Sequence, residues 1–165
     1  MQTKFFLLMG VSGCGKTTIG KALAQQLGWD FYDADDFHQT KNITKMASGI
    51  PLTDEDRAPW LASLQRLISD CLKANKPAVL ACSALKERYR QQLLKDNHGV
   101  LIVYLKGSLN LTRLRMTSRP RHYMKLGLLQ SQFDGLEEPH DALVIDASLS
   151  VDKIVTQILK KTTAK

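Results

Sequence analysis

With 165 residues, 44% of them hydrophobic, the chain has the length of one domain and enough apolar material for a core. No run approaches the roughly 18 uncharged apolar residues of a membrane span, and the apolar start is too short for a signal peptide. The net charge of +7 suits either nucleic acid or small anions; apart from Arg113, Arg115, Arg119 and Arg121 the cations are scattered, which favours small anions.

The chain opens with an apolar run, Phe5-Phe6-Leu7-Leu8-Met9, that predicts a buried parallel strand over Lys4–Met9. Gly10 to Thr17 then read G-V-S-G-C-G-K-T and fit the phosphate-loop pattern G-x-x-x-x-G-K-[ST] at every fixed position. A helical pattern follows over Lys16–Gly28, closing on a capping glycine. Strand, loop and helix together turn backbone N–H groups toward a phosphate, so Gly10, Val11, Ser12, Gly13, Cys14, Gly15, Lys16, Thr17 and Thr18 are the expected nucleotide contacts. Lys16 would reach the β/γ-phosphates and the Thr17 hydroxyl would hold Mg²⁺. The competing reading is a chance glycine-rich turn, which the flanking elements oppose.

Further strands are expected at Trp29–Asp33, Ala78–Cys82, Leu101–Leu105 and Ala142–Asp146. Helices are expected near Asn42–Ala47, at Asp54–Ala74, Lys86–Lys95 and Leu109–Thr117, near Leu128–Phe133, and at Val151–Lys161. Thr53-Asp54-Glu55-Asp56 resembles a capping box with Asp in place of Glu. This alternation predicts an α/β fold: five parallel strands in one domain spanning 1–165, with helices on both faces. The basic segment around Pro120, roughly 118–127, reads as a lid. Cys14, Cys71 and Cys82 are odd in number and lack metal-ligand spacing; they read as reduced thiols of a cytoplasmic protein.

The second strand ends Asp33-Ala34-Asp35-Asp36, at the sheet edge where ligands of parallel sheets bind. Asp33 is placed to orient Mg²⁺ waters and Asp35 to accept a proton from an attacking hydroxyl; the competing reading is an ordinary acidic loop. The third strand runs into Cys82-Ser83-Ala84 and lacks the metal-holding Asp of motors and GTPases. Asp96-Asn97-His98-Gly99 matches D-x-x-G but follows a helix, and Asn75-Lys76-Pro77-Ala78 misses N-K-x-D at its last position, so a GTPase is disfavoured.

Four stretches make the pattern more specific: Asp33-Ala34-Asp35-Asp36-Phe37-His38 continuing through Asn42, Lys45-Met46-Ala47-Ser48-Gly49 and Pro51-Leu52; Asp54-Glu55-Asp56-Arg57-Ala58-Pro59-Trp60-Leu61; Cys82-Ser83-Ala84-Leu85-Lys86 with Tyr89-Arg90; and His122-Tyr123-Met124 with Leu128-Leu129, Ser131-Gln132-Phe133 and Leu136-Glu137. Through these, nearly the whole chain resembles bacterial gluconokinases, small kinases of the shikimate-kinase-like branch of the P-loop NTPase fold. The resemblance implies transfer of phosphate from ATP, with Mg²⁺, to the 6-hydroxyl of D-gluconate, in a cytoplasmic homodimer that binds neither nucleic acid nor membrane. It implies catalytic roles for Lys16, Asp35 and Arg119, and Arg57 as the receptor of the gluconate carboxylate, a role a guanidinium fork suits. It implies polyol contacts for His38, Lys86, Arg90 and His122. Of Arg115 and Arg119, it implies that one meets the γ-phosphate and the other the adenine side. An alternative for Arg57 is a surface pair with Asp54 or Asp56, and Trp60 and Met46 read as packing.

The chain departs from the family at Cys14 (mostly Ser), Ala34 (Gly), Gln39 (Pro) and Arg121 (Gly). Ala34 fits if its φ is negative. Rival readings are a kinase of another hydroxy acid such as shikimate, a nucleotide-regulated nucleic-acid-binding module, and an ATP-binding protein without chemistry.

Overall fold

The computed structural model describes residues 2–118 and 127–163. The expected lid residues Arg119, Arg121 and His122 therefore lie outside the described residues. Five strands, β1 (Phe5–Met9), β2 (Asp30–Asp33), β3 (Ala78–Ala81), β4 (Val100–Lys106) and β5 (Leu143–Asp146), form one sheet in the order β2-β3-β1-β4-β5. Every pairing is parallel, with Leu7 opposite Leu80 on one side and Ile102 on the other. Seven helices accompany them among the described residues: α1 (Lys16–Leu27), α2 (Thr40–Ala47), α3 (Asp54–Lys73), α4 (Glu87–Leu94), α5 (Leu109–Thr117), α6 (Gly127–Gly135) and α7 (Val151–Thr163). The sequence expectations match these within a residue or two at most ends. The exception is a 3-10 helix at Ala34–Phe37, where the sequence reads as an acidic loop.

β1 is buried along its whole length, and its side chains alternate between two cores. Phe5, Leu7 and Met9 pack with Trp60, Leu64 and Ile68 of α3 and Leu93 of α4. Phe6 and Leu8 pack on the opposite face with Ile19 and Leu23 of α1 and Ile154 and Ile158 of α7. Helices thus cover both faces of the sheet. Burial of each of these large side chains is worth about 1.5–3 kcal/mol.

The start of α3 is fixed as its sequence suggests. Asp56 N–H donates to Thr53 Oγ1 at 3.1 Å, and Thr53 N–H donates to Asp56 Oδ2 at 2.9 Å, a reciprocal capping box. Lys45 Nζ also donates to Asp56 Oδ2, at 2.8 Å, tying α2 to α3. That ammonium, with the Thr53 N–H, holds the Asp56 carboxyl at about 2.

The two GTPase-like tetrapeptides sit at the wrong edge of the sheet. Asn75 to Pro77 precede β3, and Asp96 to Gly99 precede β4, so both lie at the N-terminal ends of strands. Asn97 is buried there, donating to Leu93 O at 2.9 Å and accepting from Ser69 Oγ at 2.8 Å.

Candidate active site

The phosphate loop leaves β1 at Gly10 and enters α1 at Lys16. Gly10 has φ 151°, and a Cβ there would stand 2.7 Å from Cys14 Sγ and 2.8 Å from Leu105 O. Only glycine fits this bend. Cys14 is fully buried beneath it, a filler as its position suggests. All three cysteines are free and buried. Burial pushes the Cys82 thiol up to about 12, which leaves it protonated and inert beside the cavity.

A cavity of about 260 Å³ lies against the loop. Its wall contains Ser12, Lys16 and Thr17 from the loop and the start of α1, Asp33 from the end of β2 and Asp35 from the 3-10 helix. His38, Arg57 and Lys86 contribute from the C-cap of the 3-10 helix, α3 and the β3–α4 turn. Most residues the sequence nominates for phosphate, metal and acceptor thus meet in one space. β2 does not adjoin β1, since β3 lies between them, yet parallel direction carries Asp33 to the same edge.

Lys16 Nζ donates to Gly10 O at 2.9 Å and Val11 O at 3.0 Å, folded over its own loop. Thr17 Oγ1 donates to Asp33 Oδ2 at 2.7 Å. The other Asp33 oxygen caps the 3-10 helix, accepting from Asp35 N–H at 2.9 Å. One carboxylate and one hydroxyl are hard oxygen donors that fit Mg²⁺, which takes one or two protein ligands and completes its shell with phosphate and water. Ala34 is not among the residues with positive φ, so its methyl is accommodated.

His38 lies parallel to Trp60, ring centroids 4.2 Å apart. Trp60 Nε1 donates to Ala34 O at 2.7 Å, so this tryptophan packs in the core and also shelves the cavity wall. Asn42 Nδ2 lies 3.4 Å from His38 Nδ1, which therefore accepts and leaves the proton on Nε2. Burial, aided by the Arg57 charge, holds the His38 pKa at about 4.

Arg57 does not pair with Asp54 or Asp56. Its Nη1 donates to Leu52 O at 2.8 Å and to Tyr89 Oη at 3.2 Å. Tyr89 Oη in turn donates to Asp54 Oδ1 at 2.6 Å, and Arg88 Nη2 donates to Asp54 Oδ2 at 2.6 Å. Arg57 and Arg88 both lie over the Tyr89 ring, at 5.4 and 5.3 Å from its centroid.

Arg90 requires a correction. It is 2% exposed and does not line the cavity. Its guanidinium donates to Ala84 O at 2.7 Å, Glu87 Oε2 at 2.8 Å and Glu137 O at 2.7 Å. Those bonds make it a brace beneath the β3–α4 turn rather than a polyol contact. Lys86 remains in the wall, its Nζ 3.9 Å from Glu137 Oε1.

Arg115 stands apart from the main cavity. Its guanidinium donates to Cys14 O at 2.9 Å and Ala147 O at 2.7 Å. It borders a second cavity of about 270 Å³ with Thr18, Ser118, Leu149 and Val151. The main cavity also has lining residues absent from the sequence-derived site, among them Tyr89 and Gln132 of α6. Both stand in the stretches that carry the family resemblance, which was their only signal.

A parallel α/β sheet whose first strand feeds a glycine loop, with the loop's lysine and an acidic strand end facing one cavity, defines a P-loop kinase. The family model described as "Shikimate kinase" matches residues 12–163. The chain belongs to that kinase family and, within it, to the gluconokinases. The probable gluconokinase of Mus musculus is 43% identical, covering 92% of this chain and 91% of its own. The thermosensitive gluconokinase of Escherichia coli K12 is 42% identical, covering 95% and 86%. The crystal structure of a gluconokinase from Sinorhizobium meliloti 1021 superposes with a TM-score of 0.85 at 38% identity, over 99% of this chain and 94% of that one.

Proposed function

We propose that the protein transfers the γ-phosphoryl group of ATP to the 6-hydroxyl of D-gluconate. The observation that carries this reading is the single cavity bordered by phosphate loop, Asp35 carboxylate and Arg57 guanidinium. An acid with a terminal hydroxyl needs those groups in one space: a fork for its carboxylate, a base for its hydroxyl and a cradle for the incoming phosphoryl group. Relatives at about 40% identity that are named gluconokinases support gluconate over shikimate.

Arg57, steadied through Nη1 by Leu52 and Tyr89, binds the carboxylate. Asp35, at the start of the 3-10 helix, aligns the hydroxyl and takes its proton. Lys16 neutralises charge on the transferring group, and the lid's Arg119 is assigned the same task. Mg²⁺–ATP, when bound, supplies the phosphoryl group and much of the charge neutralisation. Thr17 would hold the metal directly and Asp33 through its waters, with the Thr17–Asp33 bond orienting the hydroxyl. Arg115, beside the second cavity, is assigned to the adenine side. His38 and Lys86 are assigned to the polyol, with His122 of the lid. The reading extends to a cytoplasmic homodimer, one domain over 1–165 with a lid at about 118–127.

The test is an ADP-release assay with Mg²⁺–ATP against sugar acids, shikimate and water. Turnover on D-gluconate alone is expected. Turnover on another acid would replace the substrate, and none above the water background would remove the catalytic reading.

A further inference from the structure

The proton of His38 is placed by a residue that stands behind the cavity wall. Asn42, on α2, is 1% exposed and does not line the cavity. Its Nδ2 donates to Asp56 O, in the first turn of α3, at 2.9 Å. A carbonyl oxygen only accepts, so the amide must turn its NH2 group toward α3. The reverse orientation would set two acceptors against each other at that distance. The same Nδ2 lies 3.4 Å from His38 Nδ1, so the group facing the imidazole is a donor too. Asn42 Oδ1 is buried with no partner among the described residues, and the amide is held by its donor end alone.

The ring that Asn42 addresses has little other freedom. Its plane is set by Trp60, stacked at 4.2 Å and 11°. Trp60 is tied in turn to Ala34 O, and the His38 N–H closes the 3-10 helix on Asp35 O at 3.3 Å. With Nδ1 turned to the buried amide, Nε2 is the nitrogen left for the cavity that His38 borders. Nε2 has no hydrogen-bond partner among the described residues. Burial and the Arg57 charge keep the ring neutral near pH 7, so it carries a single proton. Lys16, Asp33, Asp35 and Lys86 are the other charged groups of this wall, while Lys45 of α2 and Asp56 of α3 are paired with each other at 2.8 Å.

We propose that Asn42 is a positioning residue that fixes His38 as the Nε2–H tautomer, so that the ring donates a hydrogen bond to an oxygen of the acceptor molecule and takes no proton from it. Control runs from Asp56 O through Asn42 to His38. Proton removal is then left to Asp35, and His38 serves recognition alone. The donor role rests on the proposed function; the tautomer does not.

The experiment is long-range nitrogen–proton NMR correlation on histidine-labelled wild type and Asn42→Asp, which tells a protonated ring nitrogen from a bare one. His38→Gln identifies the signal among the four histidines. Wild type at neutral pH should show a bare Nδ1 and a protonated Nε2. Asn42→Asp replaces the donor by an acceptor and should put a proton on Nδ1. A protonated Nδ1 in wild type overturns the proposal, and that result needs no variant should the buried carboxylate prevent folding. A bare Nδ1 in the folded variant also overturns it, since Asn42 would not then set the tautomer. Kinetics reads the donor role. The KM of Asn42→Asp for D-gluconate, relative to wild type, should rise about 3- to 10-fold as pH climbs through the variant ring's pKa and Nε2 loses its proton. A ratio that does not move with pH is what a merely structural Asn42 would give, and it overturns the donor role. A wild type that phosphorylates no acid overturns the proposed function and leaves the NMR result to decide the tautomer.

Discussion

Thr17 Oγ1 and Asp33 Oδ2, 2.7 Å apart, join the first turn of α1 to the end of a strand that does not touch β1. The bond fixes the hydroxyl's proton toward Asp33 and leaves its lone pairs for a cation. Thr17→Ser keeps this arrangement and should keep most activity. Thr17→Ala and Asp33→Asn should each raise the Mg²⁺ concentration for half-maximal rate by about 10- to 100-fold, the usual cost of losing a metal ligand's support. Activity measured against Mg²⁺ at saturating ATP checks this.

Arg57 and Tyr89 should behave as a pair. Arg57→Ala should raise KM for gluconate about 100-fold with little change in KM for ATP, because a charge-assisted fork is lost from the acceptor alone. Tyr89→Phe removes the hydroxyl that accepts from Arg57 and donates to Asp54, and should raise the same KM about 3- to 10-fold. Arg57→Lys should not restore the wild-type value, since an ammonium cannot form the fork. Steady-state kinetics with each substrate varied in turn gives the comparison.

Arg90 should prove structural. Replacing it by Leu leaves Ala84 O and Glu137 O without their donor in a buried setting and should cost about 3 kcal/mol of stability. Surviving folded enzyme should keep a near-normal KM for gluconate. Urea unfolding alongside kinetics separates the two outcomes; a large, selective rise in KM at normal stability would return Arg90 to the acceptor site.

This residue shows where sequence reading stops. The strands were legible because fully buried apolar runs such as Phe5–Met9 carry their own signal, and the α3 start was legible because a capping box spans four residues. The phosphate loop, Thr17 and Asp33 followed from motif plus strand direction. The brace of Arg90 depends on the Glu137 carbonyl, 47 residues away, and Gln132 reaches Ser12 across 120. No local pattern encodes such contacts. The 3-10 turn was hidden for a similar reason: besides the local Asp33 cap, it is held by Trp60, 26 residues away, reaching Ala34 O.

His38 gives the fold a pH dependence. Its pKa is about 4 in the folded protein, against about 6.5 when unfolded. Between those values the unfolded chain takes up a proton that the folded one refuses, so stability falls as pH drops from 6.5 toward 4 and is fully present above 6.5. The half-buried ring should contribute about 1–2 kcal/mol to this loss. Urea midpoints at pH 7 and pH 4.5 should therefore differ more for wild type than for His38→Gln.

Ala84 adopts φ 45° with its methyl buried in the core. Glycine there would relieve about 1–2 kcal/mol of left-handed strain but lose about 0.8 kcal/mol of methyl burial and some chain entropy. Ala84→Gly should therefore lie within about 1 kcal/mol of wild type. Ala84→Val, branched at a positive φ, should cost more than about 2 kcal/mol. Thermal and urea melts of both variants read the difference.

The alternation of β1 between two cores has a consequence for variation. The helix that carries the phosphate loop rests on Phe6 and Leu8, while the α3 and α4 elements that carry Arg57 and Tyr89 rest on Phe5, Leu7 and Met9. On the proposed roles, nucleotide handling and acceptor handling are thus mounted on opposite sides of a partition one strand thick. Repacking behind one leaves the other's foundation in place, and distant substitutions of this kind combine additively. On those roles, an acceptor preference can drift through the α3 side while the phosphate machinery stays fixed.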